Sequence, residues 1–365
     1  MLGLFKGQDL ILSNEEAIKI ARELLTSFLN KGVIPKWEDF FQELALFGET
    51  SDLEEIKKYF FKLTKWTFLD EILMLGGTEF FFHGPNQIQR IDFKGKKINH
   101  KIPLSEEDWQ LWLEIISIYF KQNWNVQRPF ISCYGEICNH KFRLSLIHGS
   151  TSPLGISKLV LRSLAPMPYS IETFGETLFV QELVKEEKNL IIAGSTGSGK
   201  TSLLGSLMAL INQKEHLVVL EDTFEIPFTG PNQTRFLAGN TPETSLKSYL
   251  SYSLRLSPDR IILGEMRSNE VVPFLLAMNT GHRGLMGTIH SSSAVDALYR
   301  LSLLFSIYSS ETNLSFEKIM ELVTRNIEYI IFMKNKKIFE VIKILGSDKG
   351  TPFFETIIGP KEGLE

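Results

Sequence analysis

The stretch Asn189-Leu190-Ile191-Ile192-Ala193-Gly194-Ser195-Thr196-Gly197-Ser198-Gly199-Lys200-Thr201 decides the fold. It opens as an apolar run with strand character, and from Gly194 onward it fits G-x-x-x-x-G-K-[ST]. A buried strand that ends in a glycine-rich turn and opens a helix, predicted over 201–211, aims several backbone N–H groups at one point. Glycines permit close backbone approach and the helix N-terminus adds positive potential, so phosphate is the natural occupant. Lys200 is then the cation for the β- and γ-phosphates, and the Thr201 hydroxyl is the Mg²⁺ ligand. The competing reading, a chance glycine turn, needs strand, loop, Lys-Thr and helix to fall into register by accident. Gly194 to Thr201 therefore predicts a nucleoside triphosphate site.

Working outward, apolar strands at 189–193, 216–220, 260–263 and 283–289 alternate with helical segments. That pattern predicts a parallel sheet covered on both faces. The C-terminal part closes with a helix over 316–324 and strands over 327–333 and 337–344. Upstream the texture differs. Short alternating strands at 79–83, 88–91, 141–147 and 157–162, separated by Gly and Pro turns, surround an amphipathic helix over 105–122 and predict a compact α+β domain. Pro166 and Pro168 mark a linker, because closely spaced prolines break both helix and ladder pairing. Before residue 66 three helices are predicted. The first is signalled by the capping box Ser13-Asn14-Glu15-Glu16, and the others span 38–47 and 51–63, the last opening with Ser51-x-x-Glu54. The aromatic load here (Trp37, Phe40, Phe41, Tyr59, Phe60, Phe61) reads as core or as a docking surface. The predicted division is a helical appendage over 1–65, an α+β domain over 66–164, a linker over 165–175 and a phosphate-loop α/β domain over 176–365.

Bulk properties narrow the function classes. A length of 365 residues accommodates two domains, and 43% apolar with 22% charged residues is ordinary globular composition. A net charge of −4 argues against bulk nucleic-acid binding and leaves a local basic groove open. Cys133 and Cys138 are too few for a disulfide framework or a four-thiolate zinc site, which points to a reduced, cytoplasmic setting. The segment 1–11 carries Lys6 and Asp9 and lacks a signal-type apolar core. The apolar runs all fall short of the ~20 residues of a spanning helix.

Two acidic clusters follow apolar strands. Val218-Val219-Leu220-Glu221-Asp222-Thr223-Phe224-Glu225 is the first, and Arg260-Ile261-Ile262-Leu263-Gly264-Glu265-Met266-Arg267 is the second. In a parallel sheet the carboxyl ends of strands border the ligand crevice, so Glu221, Asp222 and Glu265 are expected near the nucleotide. Hydrolysis needs one carboxylate to orient or deprotonate water and another to hold Mg²⁺ or its waters, and these glutamates supply the pair. Glu221 is the expected base and Glu265 the expected Mg²⁺ ligand, although the sequence alone does not separate the two roles. Taken singly, each cluster also fits a helix cap or solvated turn. The segment Gly281 to Ser292 would bring His290 to the same edge, where an imidazole can bond a γ-phosphate oxygen. A lone histidine is otherwise more often structural.

With these motifs in order, the chain resembles the type II/type IV secretion ATPase superfamily: a phosphate loop, an acidic box at Glu221, a Gly-Glu-x-Arg strand end at Gly264 to Arg267, and a His box ending at His290. Ser257-Pro258-Asp259-Arg260 and Ala277-Met278-Asn279-Thr280-Gly281-His282 are most similar to the Tad/Flp pilus motor branch. The resemblance implies a RecA-like ATPase domain beside a smaller α+β domain, with ATP and Mg²⁺ as cofactors. It further implies a homo-hexameric ring and an inner-membrane platform protein as partner. Location is then cytoplasmic, peripheral at the inner membrane through that partner, with no direct nucleic-acid contact. In such motors arginines of the smaller domain reach the phosphates; Arg143 and Arg162 match those positions, and Arg235, in the ATPase domain, matches a third family arginine. Each also fits a surface ion pair. Arg267 belongs to the strand-end motif. Departures are His148 to Pro153 where the family has a Pro-Pro turn, and Ser251 and Ser257 at positions that are commonly basic. The implied output is ATP-driven pilus assembly, pilus retraction or protein secretion. A nucleotide-gated scaffold with little turnover and a RecA-like DNA translocase are the alternatives.

Overall fold

In the computed structural model, which describes residues 11–50, 52–102, 104–165, 167–239, 241–309 and 314–359, the chain divides into two units, Met1–Leu164 and Ala165–Glu365. The N-terminal residues before Ile11, the Ser51 cap and Pro166 of the linker lie outside the described residues.

In the first unit the Ser13–Glu16 capping box forms and opens the helix Asn14–Asn30. Helices Trp37–Leu44 and Leu53–Thr64 follow, the latter capped by Asp52, whose carboxylate accepts the Glu55 amide at 3.0 Å. A six-stranded antiparallel sheet runs in the order Lys97–His100, Gln87–Ile91, Glu79–Gly84, Lys158–Ser163, His140–Ile147, Phe130–Ile137. The helix Glu106–Tyr119 shares one core with a single sheet face: Trp109, Trp112 and Ile116 join Phe80, Phe82, Leu144 and Leu161. That cluster also takes in Ala21, Leu25, Phe40, Phe60 and Leu63, so the first three helices and the sheet bury one continuous core. Asp108 lies inside it, accepting from Arg22 Nε at 3.0 Å and from the Tyr59 hydroxyl at 2.7 Å.

In the second unit the apolar runs do cross a sheet covered on both faces. Ile191, Ala193, Val218 and Leu220 point into one core, while Leu190, Ile192, Leu217 and Val219 point into another. Period-2 alternation between two cores is why these strands read as unbroken apolar runs. From one edge the strand order is Gln233–Leu237, Leu217–Glu221, Arg260–Met266, Met286–His290, Leu190–Gly194, Tyr329–Lys334, Lys337–Asp348, Thr351–Ile358. The pairing is parallel as far as Tyr329–Lys334 and antiparallel beyond it. The strand expected over 283–289 is Met286–His290, because Gly284 is still in a turn, donating to the Glu187 carbonyl at 2.7 Å. Among the described residues no helix is long and apolar enough to cross a membrane.

Candidate active site

The phosphate-loop strand Leu190–Gly194 is fully buried, paired with Met286–His290 on one side and Tyr329–Lys334 on the other. Its loop leaves Ser195, Thr196 and Gly197 exposed and turns inward at Ser198, which is 4% exposed. The Ser198 hydroxyl has no hydrogen-bond partner. Gly199 caps the helix Lys200–Met208 at φ +97°, a left-handed conformation that a side chain would strain. Thr201 follows, half-buried, in the first turn.

Lys200 is buried at 6% exposure; its ammonium donates to the Ser195 carbonyl at 2.9 Å and lies 3.3 Å from His290 Nδ1. Register explains the second contact, since His290 sits opposite Gly194 across the parallel ladder. His290 Nε2 lies 2.8 Å from Glu265 Oε1, an oxygen that is buried and receives no aligned hydrogen bond. Glu265 Oε2 accepts from Arg267 at 2.5 Å, and Arg267 also donates to Asp222 Oδ2 at 2.8 Å. Lys200, His290, Glu265, Arg267 and Asp222 thus form a continuous polar chain along the carboxyl ends of four adjacent strands.

The two glutamates differ in environment. Burial raises the pKa of Glu221, against the opposing pull of Arg235 and the amides of Glu225 and Ile226. Burial acts the same way on Glu265, but Arg267, His290 and Lys200 outweigh it and hold its carboxyl below the ordinary value. Burial also lowers Lys200, as does Arg267, while Glu265 opposes them.

Glu221 is 3% exposed, with every oxygen engaged: Oε1 accepts the amides of Glu225 and Ile226, each at 2.8 Å, and Oε2 accepts from Arg235 at 2.5 Å. Gly264 makes room for it, since a Cβ there would stand 3.0 Å from Glu221 Cγ. The ladder shifts register between Leu263 and Met266, and the Thr288 hydroxyl donates to the Gly264 carbonyl at 2.7 Å. Arg143 and Arg162 stand opposite each other on adjacent strands of the first unit, on the face away from its core. Like charges so placed repel; Glu79 offsets part of this, 2.7 Å from Arg162 Nη2.

Motif reading gives no role to Glu270 or Thr288. Glu270 is 2% exposed and accepts the amides of Arg267 at 2.5 Å and Ser268 at 2.7 Å, which fixes the backbone that carries Arg267. A lone hydroxyl in an apolar strand and an acid three residues beyond a motif arginine are the signals each leaves in the sequence. The cysteines are half-buried thiols, with pKa pushed up by burial to about 11 for Cys133 and about 12 for Cys138.

The family model for type II/IV secretion system proteins matches residues 142–339. Conjugal transfer protein TrbB of Rhizobium radiobacter is 33% identical over 231 residues, covering 60% of this chain and 69% of that protein. Type IV secretion system protein VirB11 of Bartonella quintana (strain Toulouse) is 33% identical over 160 residues, so that the chain spans 45% of its length and the match covers 43% of this chain. Among solved structures, the Legionella pneumophila ATPase DotB aligns at TM-score 0.57 and 16% identity over 79% of this chain and 78% of that one. The pilus retraction motor PilT aligns at TM-score 0.56 and 20% identity over 80% and 82%. At these identities the structural likeness is one of fold: α/β, in two domains. More than half of the chain matches the family model, and the chain belongs to the type II/IV secretion system protein family.

Proposed function

We propose that this chain hydrolyses ATP as the motor subunit of a secretion or pilus machine. The observation that carries the reading is the polar chain from Lys200, at a glycine-loop helix N-terminus, through His290 to Glu265 at a strand end, with Glu221 ending the adjacent strand; burial raises the pKa of Glu221, while the cations around Glu265 lower its own. Opposite shifts in neighbouring carboxyls separate an acid–base group from a permanently charged one. Glu221, whose pKa burial raises, is the proposed water-activating base. Glu265, held ionised, is the charged partner.

Two polar atoms fit the cofactors, the second already 2.8 Å from His290 Nε2. The buried Ser198 hydroxyl, without a protein partner, suits a phosphate oxygen, and Glu265 Oε1, without an aligned donor, suits Mg²⁺ or one of its waters. Among the described residues no group of three or more His, Cys, Asp or Glu could enclose a metal. That fits an ion carried by substrate phosphates and one or two side-chain oxygens, here Glu265 and Thr201. When bound, Mg²⁺ would neutralise charge on the β- and γ-phosphates. Lys200 compensates the same charge from the loop side, and His290, bracketed between Lys200 and Glu265, senses whether a γ-phosphate is present. For Arg143 and Arg162 the proposed role is stabilising charge on the transferring phosphoryl group.

Lys200→Ala tests the reading. ATP turnover by the purified protein should fall at least about a hundredfold, in line with the loss of a phosphate-clamping charge; turnover at the wild-type rate would remove the site assignment. The finer proposal is a homo-hexameric ring, of Tad/Flp type, acting on an inner-membrane platform protein and peripheral to the membrane through it. The Ser257–Arg260 and Ala277–His282 motifs support it. Deleting the gene and scoring surface filaments and secreted proteins together checks that output; wild-type levels of both would contradict it.

A further inference from the structure

Arg235 lies on the edge strand Gln233–Leu237, where an arginine ordinarily extends into water, yet its side chain is only 10% exposed. Nη2 donates to Glu221 Oε2 at 2.5 Å and to the Ile226 carbonyl at 2.6 Å, and the guanidinium lies 4.9 Å from the centre of the Phe224 ring. Glu221 Oε1 holds the Glu225 and Ile226 amides. One carboxylate and one guanidinium therefore clasp the turn 222–226 from inside. That turn begins at Asp222, which accepts from Arg267, and Arg267 in turn holds Glu265. A buried arginine is retained at a cost unless its partners are well placed. Here those partners are the candidate base and the turn behind it.

An arginine that contacts phosphate must be free to meet its ligand; Arg235 Nη2 is engaged twice, and Nε, which has no partner, is buried away from the surface. We infer that Arg235 is a positioning residue that acts through Glu221, setting the orientation of that carboxylate and of the turn that presents Asp222 to Arg267. In its kinetic part the inference rests on the proposed hydrolytic function.

The test is a double-mutant cycle on the full chain. Arg235→Met should lower kcat for ATP at least about tenfold while KM moves less than about twofold, the pattern of a group that acts on the transition state alone. Arg235→Lys, which keeps the charge and loses the planar fork, should recover part of the loss. In a Glu221→Gln background, followed by single-turnover release of labelled phosphate, Arg235→Met should add less than about twofold, because coupled residues are non-additive. An equal loss in both backgrounds would mean direct contact with phosphate and would overturn the inference, as would an unchanged kcat. Hydrogen exchange supplies an arm independent of turnover: the Glu225 and Ile226 amides should lose protection in Arg235→Met and keep it in Lys200→Ala. Unchanged protection in Arg235→Met overturns the inference even if the wild-type chain proves to hydrolyse no ATP, a result that by itself removes only the proposed function.

Discussion

Glu221 and Glu265 end adjacent strands, yet one is sealed among amides and a guanidinium and the other keeps an oxygen without an aligned donor. Gly264 is the residue on which this difference turns. A Cβ there would come 3.0 Å from Glu221 Cγ and 3.3 Å from the Leu220 carbonyl, so the Glu221 side chain would have to give by a few tenths of an ångström, which disturbs its seating among its hydrogen-bond partners. Gly264→Ala should cost about 1–3 kcal/mol of stability as overpacking, seen in urea denaturation, and should lower kcat at least about tenfold. Retained kcat would show that the seating of Glu221 does not matter. Thr288 is the supporting case. Thr288→Val removes the donor to the Gly264 carbonyl while keeping shape, at an expected cost of about 1–2 kcal/mol for a buried unsatisfied acceptor; a loss below about 0.5 kcal/mol would mean the bulge holds without it.

At the scale of elements, the central strands were legible because both faces are buried and the runs are apolar throughout. The loop, the two glutamates and His290 follow from strand ends alone. Edge strands were not: Gln233–Leu237 is half-exposed along most of its length, and Thr351–Ile358 and Phe130–Ile137 lack a clean buried alternation. The partnership of Arg235 with Glu221 is illegible for the same reason. It depends on Val219 standing beside Arg235 across a parallel pair that no local pattern announces. The hairpin of Gln87–Ile91 with Lys97–His100 offers a pH test. Arg90 Nε donates to His100 Nε2 at 3.3 Å, so that nitrogen must be unprotonated. Burial first, and then the Arg90 charge, hold the His100 pKa below its ordinary value. The folded chain therefore binds this proton less readily than the unfolded chain. The contribution is complete above the unfolded pKa, near 6.5, and is lost as pH falls from there through the folded value. NMR titration should find His100 below the ordinary histidine range, and Arg90→Met should raise it; an unmoved midpoint would contradict the pairing.

At the scale of the whole molecule, the N-terminal helices are built into the core of the first unit through Asp108, which holds Arg22 of one helix and Tyr59 of another. Asp108→Ala leaves the buried Tyr59 hydroxyl without its acceptor and leaves Arg22, 25% exposed, with Glu107 as its remaining partner, so a cost of about 1–3 kcal/mol is expected. It would appear as a lowered midpoint of the first unit's unfolding; a cost under 1 kcal/mol would mean that apolar packing alone holds those helices. In the second unit, a sheet with two cores delivers five chemically coupled side chains to one edge. The central claim is that this edge turns over ATP through carboxylates distinct from the loop that binds it. Glu265→Gln tests that claim most directly, with ATP affinity and turnover measured on the same preparation. Affinity should stay within about threefold while turnover falls at least about a hundredfold. Turnover at the wild-type rate, or loss of both together, would contradict it.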